Sequence, residues 1–466
     1  MMILAILPLG IVTPLMGAIL SVALLHWRYS YTVPTITIGI HAILSIYFLL
    51  TFQDPFSIAV GNWTLPYGIE LDISKEKSWL LVLTSVLSFF VQITSYQTKY
   101  DYRKSLIEIS RLILLAGLSG IILTADLFNL YVWFEITLIT ATGLLLAQKK
   151  FSLKPVINYM LINLLGTAFF LIGVGIIYGL TGSLNMAEIA DRLKRAPDFY
   201  LNLSTALLML GLLIKSAAFP FNLWLVAAYP RVNVSVSAML AGLVSKLVLF
   251  VSLMLIGRII PISAAYQYVL LIAAILTMAQ GAFGSLRSTQ ILTIAVYQVI
   301  FGIGFVIFCL GLADRSGQEI ALTYIMQDMV TKTLLFMLIG YIGIHSKNYS
   351  IASKTPFHFF VIILVVFVLL NSAGFPLLPA FWPKISVLLA LIERQEFVLM
   401  FSFILLNFIN IIALGRLWFR IKTPVMHKNL SIETNNPINI VLTFIALFGL
   451  ASVFVTITYL YFMKWF

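Results

Sequence analysis

The stretch AGLVSKLVLF, residues 241–250, places one lysine in the middle of an otherwise apolar run that extends from 233 to 256. About 20 apolar residues can cross roughly 30 Å of hydrocarbon as an α-helix, whereas strands of a membrane barrel are about half that length. A charge at mid-bilayer costs roughly 2.5–3.5 kcal/mol. The sequence therefore predicts a membrane helix that turns Lys246 away from lipid and towards other helices.

Apolar runs of this length recur from one end of the chain to the other. Of the 466 residues, 61% are hydrophobic and only 10% are charged, so the bilayer is the expected solvent. The first run has neither a basic residue before it nor a cleavage site after it, and it is interpreted as a retained span. The predicted spans are 2–25, 32–51, 78–97, 107–124, 127–147, 156–180, 203–221, 233–256, 262–283, 289–312, 319–343, one broken helix made of 356–375 and 377–392, 398–419 and 437–463. The fold class is thus an all-α polytopic membrane protein with 14 transmembrane helices.

The basic residues are spread over short loops, which predicts an orientation. With both termini on the outer face, the cytoplasmic loops carry fifteen Lys and Arg, Arg111 among them, and the outer loops carry nine, including Lys77. Basic residues are retained in the cytoplasm, so this orientation is favoured. The net charge of +12 is attributed to topology and anionic lipid rather than to nucleic acid.

Seven charged residues are assigned to the membrane after those near span ends have been assigned to loops. Arg416, near a span end, is interpreted as an anchor that reaches the membrane surface. The others are Glu135, Lys215, Lys246, Asp328, Lys332 and Lys384. Desolvation can lower the pKa of a lysine by as much as about 3–5 units, which suits proton exchange near neutral pH, whereas arginine stays charged. The four lysines and Glu135 are therefore predicted to form a proton relay; the alternative is that each charge only joins one helix to another.

Other polar residues are candidates to support this relay. Asp328 and Lys332 are four residues apart and can pair on one helix face, either as a static ion pair or as a relay pair. A set of polar residues is predicted either to carry water between the charges or only to pack one helix against another: Ser216, Ser235, Ser237, Ser245, Tyr297, Gln298, Thr331 and Asn371. His41 is interpreted as a core histidine, outside the relay.

Two stretches that contain proline predict broken helices. They are KSAAFPF, residues 215–221, and GFPLLPAFWPK, residues 374–384. Proline removes a backbone hydrogen bond and frees carbonyl groups. Breaks at matching places in two halves indicate inverted repeats with a polar site at the midplane. The predicted division is 1–106 for helices 1–3, 107–257 and 258–420 for two five-helix repeats, and 421–466 for helix 14.

Several of these segments resemble the antiporter-like subunits of Mrp-type cation/proton antiporters, respiratory complex I and membrane-bound hydrogenases. The similar segments are 126–135 with its glutamate, 215–225, 236–246, 328–336 and 374–384. The resemblance implies a 14-helix fold, a switchable pair of Glu135 with Lys215, and an axis continued by Lys246, Lys332 and Lys384. Asp328 departs from the family, which usually has histidine there, and the turn after Pro230 lacks later prolines.

The resemblance also implies where the chain works and with what. It implies a multi-pass subunit of a large hetero-oligomeric complex in a prokaryotic plasma membrane, moving protons and, in an antiporter, exchanging them with Na⁺. The alternative is a scaffold subunit that pumps nothing. No nucleotide loop, haem ligand pair or catalytic triad is present in the sequence, and Cys309 is the only cysteine. No catalytic centre, cofactor or metal of its own is expected.

Overall fold

The computed structural model describes residues 6–25, 32–63, 67–95, 102–147, 153–256, 259–261, 263–312, 315–345 and 356–422. These residues are predominantly helical. The helices are α1 (Leu9–Ala23), α2 (Thr32–Thr51), α3 (Lys75–Ser95), α4 (Tyr102–Leu123), α5 (Leu127–Leu146), α6 (Leu153–Thr181), α7 (Met186–Arg192), α8 (Asp198–Ser216), α9 (Leu223–Ala228), α10 (Val234–Met239), α11 (Ser245–Leu255), α12 (Ala264–Arg287), α13 (Ile291–Gly311), α14 (Arg315–His345), α15 (Pro356–Ala373), α16 (Phe381–Glu393) and α17 (Phe397–Lys422).

Most of these helices are membrane spans by length and composition. Within the described residues, eleven are long and apolar enough to cross a membrane, and two shorter apolar helices cover Leu9–Ala23 and Val361–Ala373. Each coincides with a predicted span. The prediction of a polytopic helical membrane protein is confirmed. The predicted span 437–463 lies outside the described residues, so the number 14 and the inverted repeats stay predictions.

The chain divides into two compact units. The first comprises Met1–Lys215 with Met254–Ile262, and the second comprises Ser216–Leu253 with Ser263–Phe466. In the first unit, α1 packs on α2 and α4, and α5 packs between α4 and α6. In the second unit, α14 packs against α10, α13, α15 and α16, so α14 is its central helix. The predicted boundaries of the two repeats are not tested by this division.

A small hairpin in the first unit was not predicted. Strand β1 (Phe56–Ala59) pairs antiparallel with β2 (Glu70–Ile73), so the described chain is not purely helical. After β2, the Lys77 ammonium is buried, pairs with Asp72 and donates to the carbonyl oxygen of Thr124 at 3.2 Å. Lys77 is therefore not an exposed loop cation. Burial raises the pKa of the Asp72 carboxyl in spite of the nearby lysine.

Arg111 also lies elsewhere than predicted. It is buried within α4, and its guanidinium donates to Gln92 Oε1 of α3 at 3.2 Å. The assignment of Arg111 to a cytoplasmic loop was wrong, because residue 111 lies within α4, inside the predicted span 107–124, and its side chain is directed towards α3 within the bundle.

His41 lies in the core, as the sequence analysis expects. The ring is fully buried, its Nε2 lies 2.8 Å from the carbonyl oxygen of Gly10, and its Nδ1 lies 2.8 Å from Ser85 Oγ. Both ring nitrogens thus have partners on neighbouring helices.

Both stretches that contain proline interrupt helices, but at positions that differ from the predicted ones. Helix α8 ends at Ser216 rather than at residue 221, because Ala217 adopts φ +62° and leaves the helical region. Helix α15 ends at Ala373 and α16 begins at Phe381, so the interruption covers seven residues, 374–380, whereas the predicted segments leave only Pro376 between them. Each lysine beside a break, Lys215 and Lys384, thus lies within a turn or so of a helix end.

The predicted span 233–256 is not one regular helix. A π-helical segment, Leu240–Val244, separates α10 from α11 and ends directly before Ser245 and Lys246. At Gly242 an added Cβ would lie 2.0 Å from Thr333 Oγ1 of α14. Only glycine permits so close an approach of this segment to α14. Single π-helical turns occur frequently at functional sites.

Candidate functional site of buried charges

One compact group of buried charges lies in the second unit. Lys246 Nζ of α11 is 2.6 Å from Asp328 Oδ2, and Lys332 Nζ is 3.3 Å from Asp328 Oδ1. All three side chains are buried. We call Lys246, Asp328 and Lys332 the lysine–aspartate cluster. The sequence predicted the pairing of Asp328 with Lys332 on one helix, whereas the closer contact comes from a second helix.

A glycine makes room for this cluster. At Gly302 of α13, an added Cβ would lie 2.6 Å from Asp328 Oδ2 and 3.5 Å from Lys246 Nζ. Any side chain at this position would press against the ion pair. The backbone of α13 therefore covers the carboxylate directly, and this contact was not foreseen from the sequence.

Lys384 follows the second helix break. Its Nζ donates to the carbonyl oxygens of Ser372 at 2.9 Å and Ala373 at 3.0 Å. These are carbonyls of the last turn of α15, where the helix dipole presents partial negative charge. The ammonium also lies 6.0 Å from the ring centroid of Phe301, and the charges of Lys332 and Asp328 act on it. The buried end of a broken helix thus holds a cation with no carboxylate from the described residues in direct contact.

Asn371 connects α14 with both halves of the broken helix. Its Nδ2 donates to Gln327 Oε1 and to Thr331 Oγ1, both at 2.9 Å, and its Oδ1 accepts from the backbone N–H of Ala380 at 3.0 Å. Asn371 is fully buried. Gln327 was not predicted to take part, although its place beside Asp328 and one turn before Thr331 was the available signal.

The predicted supporting residues fall in three different settings. Ser245 donates to the carbonyl oxygen of Ala241 in its own span at 3.1 Å. Gln298 donates to Ser285 Oγ at 3.1 Å and to Asn410 Oδ1 at 2.7 Å, which joins α13 to α12 and α17. The ring of Tyr297 packs so closely on α12 that a Cβ at Gly284 would lie 2.3 Å from it. Their predicted role in carrying water stays a prediction.

Glu135 and Lys215 belong to the first unit. Glu135 lies in the middle of α5, and its Oε1 is buried without a hydrogen-bond partner among the described residues. Lys215 Nζ lies 4.8 Å from the ring centroid of Phe134, the residue before Glu135. The charge of Glu135 acts on Lys215. The pair is thus close without a hydrogen-bonded ion pair between its members, unlike the lysine–aspartate cluster.

The start of α5 is held by Asp126. Its Oδ1 accepts from the backbone N–H of Asn129 at 2.7 Å, as the N-cap of the helix that carries Glu135. Burial raises the pKa of the Asp126 carboxyl, although hydrogen bonds from the backbone partly oppose the shift.

We predict that Gly374→Ala lowers the free energy of unfolding by about 1 kcal/mol or more. Gly374 has φ +83°, and an added Cβ would lie 2.7 Å from Lys384 Cδ. The substitution both strains the backbone, by about 1 kcal/mol, and pushes the lysine from the α15 carbonyls. The thermal midpoint of the purified protein, compared with that of Gly415→Ala, provides the check. Gly415 has no atom within 4 Å of an added Cβ, so an equal shift in both variants would contradict the assignment.

The fold and the buried charges define a class: a multi-pass helical membrane protein that keeps lysines and acids within its bundle. The NADH:quinone oxidoreductase/Mrp antiporter transmembrane family matches residues 124–410. A Staphylococcus saprophyticus protein named as an antiporter subunit, mnhD2, is 31% identical over 450 residues, which cover 92% of this chain and 88% of that protein. This chain belongs to the NADH:quinone oxidoreductase/Mrp antiporter family, so the predicted relationship is confirmed.

Solved structures agree on the fold. A chain of the archaeal membrane-bound sulfane sulfur reductase, a respiratory membrane complex, matches with a TM-score of 0.86 at 23% identity, over 98% of this chain and 95% of that one. A chain of the Mrp complex from Dietzia sp. DQ12-45-1b matches with a TM-score of 0.83 at 20% identity, over 98% and 96%. At such identities the likeness shows the shared fold.

Proposed function

We propose that this chain is a proton-translocating subunit of a multi-subunit Mrp-type antiporter in a prokaryotic plasma membrane, working in exchange with Na⁺. Its partners are other membrane subunits and the lipid bilayer. The second candidate is a respiratory complex related to Mrp, such as a membrane-bound hydrogenase, in which this chain would also be the proton-translocating subunit. A Bacillus subtilis relative, 32% identical over 288 residues, is named as part of a Na⁺/H⁺ antiporter, and this name favours the antiporter.

The observation that carries this proposal is the lysine–aspartate cluster together with Lys384. One carboxylate faces two ammonium groups at 2.6 and 3.3 Å, so the two lysines compete for it. A lysine that loses the carboxylate is left desolvated, and it is then favourable for it to release its proton. Lys384 can accept a proton from this position only as the neutral amine; once it is protonated, the carbonyl oxygens of Ser372 and Ala373 accept hydrogen bonds from its ammonium.

Glu135 and Lys215 take the corresponding role in the first unit. Their arrangement leaves a carboxylate oxygen unsatisfied and an ammonium on an aromatic face. Neither charge is fully compensated, which suits a pair that opens and closes. Buried groups that served only to hold helices together would be expected to complete their hydrogen bonds.

The competing proposal is a scaffold subunit that holds its neighbours and moves no ions. It is motivated by the departures from the family in the segment 229–237 and at Asp328. In the structure, Ser237 Oγ of that segment donates to the carbonyl oxygen of Tyr229 at 2.8 Å. This bond stabilises the altered turn and bears on its fold, not on transport.

Replacing Lys246 and Lys384 by methionine distinguishes the two proposals. Methionine keeps much of the side-chain volume but cannot carry a proton. Each single variant is expected to lower proton transport by at least about tenfold, and the double variant to lower it further. The measurement is ion-driven proton movement in membrane vesicles that contain the whole complex, normalised to the amount of this subunit.

Lys194→Met is the matched control, since Lys194 is exposed and pairs with the exposed Asp191 at 2.7 Å. An exposed pair of this kind contributes little, and wild-type transport is expected. If the double variant transported at the wild-type rate, the scaffold proposal would replace the relay.

A further inference from the structure

Asn371 occupies a position that the proton relay described above does not use. Its amide makes three hydrogen bonds to groups on two other segments: the side chains of Gln327 and Thr331 on α14, and the backbone of Ala380 before α16. Asn371 itself lies in the last turn of α15. No ionisable group takes part in these contacts, so Asn371 is not itself a proton carrier.

The partners of Asn371 are next to the charges in the sequence and in space. Gln327 and Thr331 directly precede Asp328 and Lys332 on α14. On the other side, the carbonyl oxygens of Ser372 and Ala373, which follow Asn371, accept the two hydrogen bonds of Lys384. A displacement of Asn371 would therefore change the position of the Lys384 acceptors and of the α14 backbone at the same time.

Both the NH₂ group and the carbonyl oxygen of the Asn371 amide make hydrogen bonds, and these bonds fix the orientation of the side chain. The NH₂ group faces Gln327 Oε1 and Thr331 Oγ1, and the carbonyl oxygen receives the N–H of Ala380. Backbone N–H groups at the start of a helix lack partners within the helix, and Asn371 satisfies one of them at the interrupted stretch. Leucine has a similar volume but would leave all three partners without this contact.

We propose that Asn371 is a positioning residue that ties α14 to the broken helix, so that Lys332 and Lys384 keep the separation that proton transfer between them requires. The proposal rests on the relay proposed above. It goes further by assigning the coupling between two relay positions to an uncharged side chain that belongs to neither. The interruption between α15 and α16 allows the two helices to move relative to each other. The hydrogen bonds of Asn371 restrict this movement where the broken helix faces α14.

Two substitutions of Asn371 test this assignment. Asn371→Leu is expected to lower the transport rate per assembled complex by about tenfold, which equals about 1.4 kcal/mol in the barrier. Asn371→Asp keeps the acceptor for Ala380 and adds a negative charge near Lys332 and Lys384, with Asp328 and Lys246 as the other charged groups of the cluster. Negative charge favours protonated lysines, so the pH profile of transport is expected to move up by about one unit.

The amount of complex, the transport rate per complex and the pH profile together distinguish a positioning role of Asn371 from a packing role. They also distinguish both from a failure of the proposed relay. Asn163→Leu is the control: Asn163 is a buried asparagine of α6 whose amide donates to Tyr159 in its own helix, and an unchanged rate per complex is expected. If Asn371→Leu lowered only the amount of complex, and Asn371→Asp left the pH profile unchanged, Asn371 would be a packing residue. Normal transport by Lys384→Met would instead overturn the relay.

Discussion

Replacing Glu135 by glutamine is expected to lower proton transport by the assembled complex about hundredfold or more, with a normal amount of complex in the membrane. Glutamine has nearly the same shape as glutamate, so the packing of α5 is retained. It lacks the charge that acts on Lys215, and it cannot take up a proton. Both functions proposed for Glu135 are lost together, which is why the effect is large.

Lys215 provides the complementary test. Lys215→Ala is expected to abolish transport as well. Lys215→Arg distinguishes a static ion pair from a relay, because arginine keeps the positive charge but does not release its proton in proteins. A static pair would tolerate arginine, whereas the relay predicts a loss of about hundredfold.

The measurement is proton uptake or release by vesicles, with antibody detection of the subunit in the isolated complex. Glu188→Gln serves as the matched control, since Glu188 makes a partly exposed ion pair with Arg192 at 3.0 Å and such pairs contribute little. Normal transport by Glu135→Gln or by Lys215→Ala would contradict the assignment of these residues to a proton relay in the first unit.

The spans could be predicted from the sequence because their signal is local. Twenty consecutive apolar residues mark a helix regardless of what packs against it, and every candidate span among the described residues lies where the apolar runs predicted one. The charges inside those runs were equally readable, because Lys246 and Lys332 lie far from any loop. Both lysines are buried in the structure, as expected from the free energy that exposing a charge to lipid would cost.

What could not be predicted depends on packing between helices. The pair of Asp328 with Lys332 was foreseen from a spacing of four residues, but the closer partner, Lys246, is contributed by α11. Which helix faces Asp328 is decided by the π-helical segment and by Gly302, whose missing side chain leaves room for the carboxylate. Neither feature has a pattern in the sequence that differs from an ordinary apolar helix.

Contacts made by polar segments and by single polar side chains could not be predicted either, because they also depend on which residues the fold brings together. The hairpin of β1 and β2 and the burial of Lys77 lie in a polar segment between two predicted spans, where apolar runs predict no structure. Asn371 looked like one of several amides that pack between helices. Its three partners are separated from it by 40, 44 and 9 residues along the chain, and only the folded structure brings them to one side chain.

The second large effect is expected for Asp328. Replacing it by leucine leaves Lys246 and Lys332 buried without the carboxylate that faces both of them. Removing one partner of a buried ion pair typically costs about 3–5 kcal/mol, and here two lysines lose the same partner. We expect little or no assembled complex for Asp328→Leu, measured as the amount of subunit in purified membranes and the thermal midpoint of the complex.

A combined variant separates the structural role of Asp328 from its role in transport. Replacing all three members, Lys246→Met with Asp328→Leu and Lys332→Met, removes the unpaired charges, and apolar replacement of a whole buried ion cluster is often neutral or stabilising. Assembly is therefore expected to recover while proton transport stays absent. Asp191→Asn, at an exposed carboxylate, controls for the loss of an aspartate and is expected to assemble and transport normally.

The assembly of the single variant, the assembly of the triple variant and the transport by the triple variant together show what the lysine–aspartate cluster does. Loss of assembly in the single variant, with recovery in the triple variant, means that the cluster is not required for the fold once its charges are removed together. The remaining reason to keep three ionisable side chains within the bundle is then their function. Recovery of both assembly and transport in the triple variant would show that protons bypass the cluster, and Lys246, Asp328 and Lys332 would have to be removed from the relay.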